Sequence, residues 1–152
     1  MKRFHAPAFR FGTAAIVGAT GLATLAIAPA LAASPFGTWW TGDKKGQIKI
    51  VNCGGALCGN LVWLKEPDKD GKPRTDENNS DPNKRSRPLL GIPIVLDMKP
   101  AGADKWEGHV YNSRDGNTYS GSFTMTGTDT ADLKGCVMGG LLCKTEEWTR
   151  AK

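Results

Sequence analysis

Few residue types able to do chemistry remain after residue 32. One histidine is found there, His109, and any Ser-His-Asp or Cys-His arrangement would have to use it. Acids gather in "PDKDGKPRTDENNSD", residues 67–81, where Asp68, Asp70, Asp76 and Asp81 offer the hard oxygen ligands that calcium takes. An EF-hand loop counted from Asp68 needs an acid or Asn at its fifth position and Gly at its sixth. Those positions hold Lys72 and Pro73, so "DKDG" reads as a turn instead. No spacing among the acids singles out a catalytic carboxylate pair. "NNS" at 78–80 matches a glycosylation sequon, which matters only in a eukaryotic host. Cys53, Cys58, Cys136 and Cys143 have spacings unlike a zinc ribbon, and an even count in an exported chain points to disulfides. No catalytic residue, metal site or cofactor is therefore expected.

The elements that must position these residues are short. Apolar stretches of period two recur between Gly, Asp and Asn: "GTWW", "QIKIV", "LVWL", "LLGIPIVLDM", "KWEGHVY", "TYSGSFTMT", "DLKGCVM" and "LLCKTEEW". About eight strands with little helix predict a closed up-and-down barrel or a small sandwich. Pro93 predicts an edge, a bulge or a break. If "SRDG", residues 113–116, is a four-residue loop, Val110 faces Tyr119, Gly108 faces Gly121 and Trp106 faces Phe123. That register sorts an apolar face from a polar one, and a one-residue slip would destroy it. Trp106, Val110, Tyr119, Phe123 and Met125 are then inside, and His109 is outside opposite Ser120. The opposed glycines leave room or allow a sharp bend.

The last hairpin carries a Gly-Gly turn in "MGGL", with Val137 facing Leu142 and Cys136 directly opposite Cys143, within disulfide range. Cys53 and Cys58 flank "GGAL", so two local bridges are the economical connectivity. Lys144 and Glu146 fall on the face of Leu142 and Trp148, which means either a bulge or a partly polar interior. If the sheet closes, first and last strands meet, and Trp39 lies against the guanidinium of Arg150.

The chain opens "MKRF", runs through an apolar Ala-rich stretch and reaches "ALA" at 30–32. This reads as a secretory signal peptide over residues 1–32, cleaved near Ala32, with a single domain over 33–152 and a periplasmic destination. Lys2, Arg3 and Arg10 are three of the 20 basic residues, which leaves 17 against 15 acids, a net charge of +2. With no basic block, nucleic-acid binding has little support.

Two resemblances follow from these residues. Gly37-x-Trp39 with a basic residue on the final strand resembles the calycin superfamily, which includes the lipocalins. More broadly, the chain from about Phe36 to Arg150 resembles the bacterial domain of unknown function family 2147. The matching residues are "GTW" at 37, "CGGALCGNLVWL" at 53, "DGKPRTDENNSDP" at 70, "RPLLG" at 87, Trp106-Glu107-Gly108, "DGNTY" at 115 and "WTR" at 148. Asn112-Ser113 departs from an expected Asp-Pro. The resemblance implies an exported, all-β, eight-stranded up-and-down antiparallel barrel of lipocalin type, with one long polar loop between strands 3 and 4. Gly37, Trp39, Trp148 and Arg150 are then structural.

The resemblance also implies that the long loop lies at the open mouth as a lid. Residues 74–88 are expected to form a cap, with Asp81-Pro82 starting a helical turn and Arg85 and Arg87 pairing with acids of the same loop. The leading expectation is a binding barrel for a small apolar or amphipathic ligand. Its walls would be Trp63, Trp106, Tyr119, Phe123 and Met125, and its polar contacts Asp76, Asn78, Asn79, Arg85 and Arg87. The alternatives are a structural or protein-interaction module of the cell envelope with a filled barrel and, third, a hydrolytic enzyme using loop carboxylates, which would need a cluster of inward acids such as Glu146 with one from the lid.

Overall fold

Alternating side chains force each short segment to bury one face, and the segments do so by pairing with their neighbours. The computed structural model describes residues 33–152, so the signal-peptide reading lies outside the described residues. The strands are β1 Gly37–Trp40, β2 Gly46–Cys53, β3 Ala56–Leu64, β4 Asp68–Lys69, β5 Lys72–Pro73, β6 Pro93–Pro100, β7 Lys105–Asn112, β8 Asn117–Met125, β9 Thr130–Val137 and β10 Leu142–Arg150. Eight of them close into an antiparallel barrel in the order β1-β10-β9-β8-β7-β6-β3-β2. β4 and β5 form a separate small hairpin whose turn is "DG", with Asp70 and Gly71 both at positive φ.

The β7–β8 register is the expected one, with Trp106 opposite Phe123, Gly108 opposite Gly121 and Val110 opposite Tyr119. The two glycines admit the neighbouring strand. A Cβ on Gly108 would sit 2.7 Å from the Asp97 carbonyl and the Met98 Cα, where β6 bulges inward. The register of β10 against β9 runs unbroken from Leu142 to Thr149, so Lys144 and Glu146 face a partly polar interior without a bulge. Cys136 pairs with Cys143 and Cys53 with Cys58, both as disulfides. The turn between β9 and β10 differs from expectation: residues 138–141 form a four-residue connection rather than a two-residue Gly-Gly turn. Val137 still faces Leu142 because both readings keep the same pair.

Arg150 closes the lower end of the barrel. Its Cα partner is Trp39, and its guanidinium lies 4.3 Å from that ring. It donates to the carbonyls of Phe36 at 2.8 Å, Ser34 at 2.7 Å and Thr128 at 3.1 Å, and pairs with Asp129 at 3.2 Å. The Trp39 indole donates to the Pro35 carbonyl at 2.9 Å, so the segment before β1 is tied to the same plug. Above it, Trp39 and Trp148 meet Phe123 edge-on at 5.5 and 6.2 Å, and Ile50, Leu57, Val95 and Met98 are buried around them. The lower half of the barrel is thus solid.

Replacing Arg150 with Ala removes the stacked cation and several carbonyl partners at once. A loss of about 2–3 kcal/mol is expected in denaturant melts, from one stacking contact and a few net hydrogen bonds. An unchanged midpoint and slope would show that the seam is held elsewhere.

Candidate functional site

The upper half of the barrel is hollow. A cavity of about 600 Å³ opens at the end that carries the turns after β1, β7 and β9. Ile48, Leu61, Val110, Leu133 and Trp148 form its deep apolar wall. Gly46 and Gly135 also line it, and a Cβ on them would crowd the side chains of Leu61 at 3.2 Å and Val110 at 3.3 Å. Nearer the mouth stand Asp43, Lys45, Arg114, Asp115, Lys144 and Glu146. The space is apolar below and charged above, as an amphipathic guest requires.

Two arms meet across this mouth. Asp43 lies on the β1–β2 turn and Arg114 on the β7–β8 turn, and the strand order places those turns on opposite sides of the barrel. Their carboxylate and guanidinium form an ion pair that bars the opening. Burial acts to raise the Asp43 carboxyl, but the Lys45 amide, the Thr41 hydroxyl and Arg114 together hold it below the usual carboxylate range. Both side chains keep contact with solvent, so the pair contributes at most about 1 kcal/mol. A bar this weak opens readily. Asp115 accepts from Tyr119 at 2.7 Å and from Asn112 at 2.8 Å; the bond from Tyr119 and partial burial raise the Tyr119 hydroxyl above its ordinary value. Lys144 pairs with Glu146 at 3.2 Å on β10.

The long loop braces one of these arms rather than covering the mouth. Among the described residues, none from 65 to 91 lines the cavity, which corrects the expected lid. The loop's centre is Asp76, which is 0% exposed. Its carboxylate accepts from the Tyr111 hydroxyl at 2.6 Å, Asn79 Nδ2 at 2.6 Å, and Arg87 Nε at 3.0 Å and Nη2 at 2.8 Å. The loop closes on itself through a bridge between Thr75 and Pro88. Asp81 caps the turn Pro82–Lys84 by accepting from the Asn83 amide, as its sequence implied. Arg87 finds an acid of its own loop, whereas Arg85 donates to the Asn79 carbonyl at 2.8 Å. With Asp76 already supplied, the nearest acceptor for Arg85 is backbone.

This brace docks on the β7–β8 turn. Asn78 donates to the Arg114 carbonyl at 3.0 Å, and the Ser80 amide donates to the Gly116 carbonyl at 3.1 Å. Gly116 has a φ of 74°, and a Cβ there would come within 1.7 Å of the Asn78 carbonyl oxygen. The loop thereby fixes the arm that carries Arg114.

Of the residues expected to contact a ligand, the structure brings Tyr119 to the cavity wall. Phe123 and Met125 are buried in the packed lower half, and Trp106 packs against that core, so none of the three lines the space. Trp63 lies on the outer surface, 39% exposed, and meets Trp40 edge-on at 5.1 Å. A register shift between Gln47 and Ile48 breaks the alternation of β3 after Leu61, turning Trp63 out and bringing Leu64 to the cavity wall. Asp76, Asn78, Asn79, Arg85 and Arg87 belong to the brace behind the mouth. Sequence reasoning missed Asp43, Lys45, Arg114 and Trp148 as cavity residues. Trp148 had a usable signal, since its parity on β10 matches Lys144 and Glu146. His109 is exposed opposite Ser120, and among the described residues no cluster of His, Cys, Asp and Glu is able to hold a metal.

The family described as an uncharacterized protein conserved in bacteria, domain of unknown function family 2147, matches residues 37–150, and the chain belongs to it. A solved structure, protein HP1028 from the human pathogen Helicobacter pylori, described as belonging to the lipocalin family, is similar in fold. Its TM-score is 0.67 at 20% identity, covering 76% of this chain and 82% of that one. No curated protein matches the chain.

Tyr111 offers a test of the brace. Burial, the hydrogen bond to Asp76 and its charge push the phenol up to about 12 from 10.0. The folded state favours the neutral phenol, so this contribution is complete below pH 10 and fades as pH rises through about 12. Tyr111→Phe should cost about 1–3 kcal/mol at neutral pH, because it strips a donor from a buried carboxylate. The difference between wild type and variant in urea melts should shrink over that alkaline window. A difference independent of pH would contradict the bond.

Proposed function

We propose that the chain is an exported binding protein that holds one small amphipathic molecule in the upper half of its barrel. The observation that carries this reading is the cavity itself, about 600 Å³ with an apolar wall and a charged rim. A cavity of that size falls within the range of small-ligand sites. The guest's apolar body rests against Ile48, Leu61, Val110 and Leu133. A polar or anionic head sits at the rim, where Lys45 is the cation without an ion pair among the described residues. The pair between Asp43 and Arg114 acts as the gate, and the loop anchored on Asp76 holds the gatepost. The leader over residues 1–32 directs export to the periplasm, cleavage near Ala32 leaves residues 33–152 as the working domain, and the disulfides agree with an oxidising compartment.

A second reading, an interaction module of the envelope, is favoured by one feature. Met138 and Leu141, at 74% and 85% exposure, stand at the tip of the disulfide-pinned β9–β10 hairpin. Such a tip suits an apolar partner beside the mouth.

The binding reading is tested with 11-(dansylamino)undecanoic acid, whose fluorescence reports transfer into an apolar site. Saturable one-to-one binding is expected. Leu133→Trp, which fills the cavity, should weaken it by about tenfold or more, since closed-packed interiors do not absorb added volume. Arg114→Ala should speed both entry and release in stopped-flow traces while changing affinity little, as loss of an exposed pair allows. No saturable binding, or equal binding by Leu133→Trp, would remove the reading.

A further inference from the structure

We propose that the β9–β10 hairpin docks the mouth of the barrel on a bilayer that carries anionic phospholipid. The tip is apolar or glycine without interruption from Val137 to Leu142. Met138, Leu141 and Leu142 are 74%, 85% and 65% exposed. A Cβ on Gly139 or Gly140 would meet nothing within 4 Å, so the turn stands clear of the barrel. Large apolar side chains gathered on one free tip mark a contact surface.

The charges beneath the tip indicate what covers it. Down the two strands, Val137 faces Leu142 and Cys136 faces Cys143. The first charged residues are then Lys144, opposite Gly135, and Lys134, opposite Thr145. The acids come lower, Glu146 opposite Leu133 and Glu147 opposite Asp132. Lys134 is exposed, and the side chain of Lys144 keeps 78% of its surface in solvent. The exposed pair between Lys144 and Glu146 holds weakly, which frees the ammonium for a phosphate. Apolar, then cationic, then anionic is the order of a segment whose end enters acyl chains and whose feet meet lipid headgroups. The spacing agrees. Leu141 and Lys144 lie three positions apart, roughly 10 Å at the usual strand rise. Interfacial segments sink about 5–10 Å into the headgroup boundary.

A second copy of the chain fits the tip less well. A stable interface buries about 800 Å² on each partner, and three side chains on a tip fall well short of that. A bilayer needs only a shallow insertion. The Cys136–Cys143 disulfide lies one pair below the turn, so the tip enters already ordered and loses little freedom. Val137 and Leu142 also line the cavity, so docking sets the mouth beside the acyl chains.

The test is co-sedimentation of the protein isolated from its own host with two sets of vesicles. One set is equimolar phosphatidylglycerol and phosphatidylcholine, and the other is phosphatidylcholine alone. Wild type should bind the anionic set about tenfold or more tightly. Leu141→Asp should lose about tenfold or more on that set with an unchanged melting curve, since Leu141 is exposed in the free protein. Lys134→Glu should lose about tenfold on the anionic set and nothing on the neutral one. Leu141→Trp should be quenched by bromine-labelled acyl chains beyond the wild-type level. No binding by wild type, equal binding to both sets, or equal binding by Leu141→Asp overturns the inference. So does a lipid-free dimer that Leu141→Asp dissociates, which would assign the tip to a second copy. None of these outcomes bears on the binding reading, which the dansyl probe tests in the absence of lipid.

Discussion

A carboxylate taken wholly out of water must be ringed by donors, and Asp76 sets the architecture of the mouth for that reason. The cost of burying such a charge is several kcal/mol unless partners replace the lost water. Tyr111 supplies one partner from the barrel wall, and Asn79 and Arg87 supply the rest from the loop. The Tyr111 bond requires the loop to lie against β7. Once it does, Asn78 and Ser80 reach the β7–β8 turn, Gly116 must lack a side chain, and Arg114 is held where it meets Asp43. A single buried charge is thereby coupled to the gate over the cavity.

The two ends of the barrel are built from different physics. The lower end is dry and aromatic, and Arg150 seals it by turning its donors onto backbone carbonyls that the strands leave unpaired. The upper end keeps water and charge, with ion pairs that contribute little to stability and yield easily. A rigid floor and a loose rim are what a binding barrel needs. The floor preserves the shape of the space, and the rim lets a guest pass.

The barrel was legible because its cause is local. Strand alternation, the Gly108–Gly121 facing and the Cys136–Cys143 pair each follow from residues that meet across a hairpin. The Trp39–Arg150 contact was legible because closure forces first and last strands together. The site was harder to read. Trp63 was misplaced because a bulge in β2–β3 changes the parity of one strand, and no residue type announces it. The loop reads as a lid from its sequence because polarity and position at the mouth do not say which way a loop folds. That choice is made by Asp76 and Tyr111, 35 residues apart, whose meeting depends on the closed barrel. The rim residues Asp43 and Arg114 lie 71 apart and became neighbours for the same reason.

The central claim is that the upper cavity holds a guest. Native mass spectrometry of the protein isolated from its own host under non-denaturing conditions tests it most directly. The account predicts a one-to-one adduct of small-molecule mass on wild type that is lost from a Leu133→Trp variant prepared in parallel. A wild-type spectrum showing the bare chain alone, or an adduct that persists with the cavity filled, would contradict it.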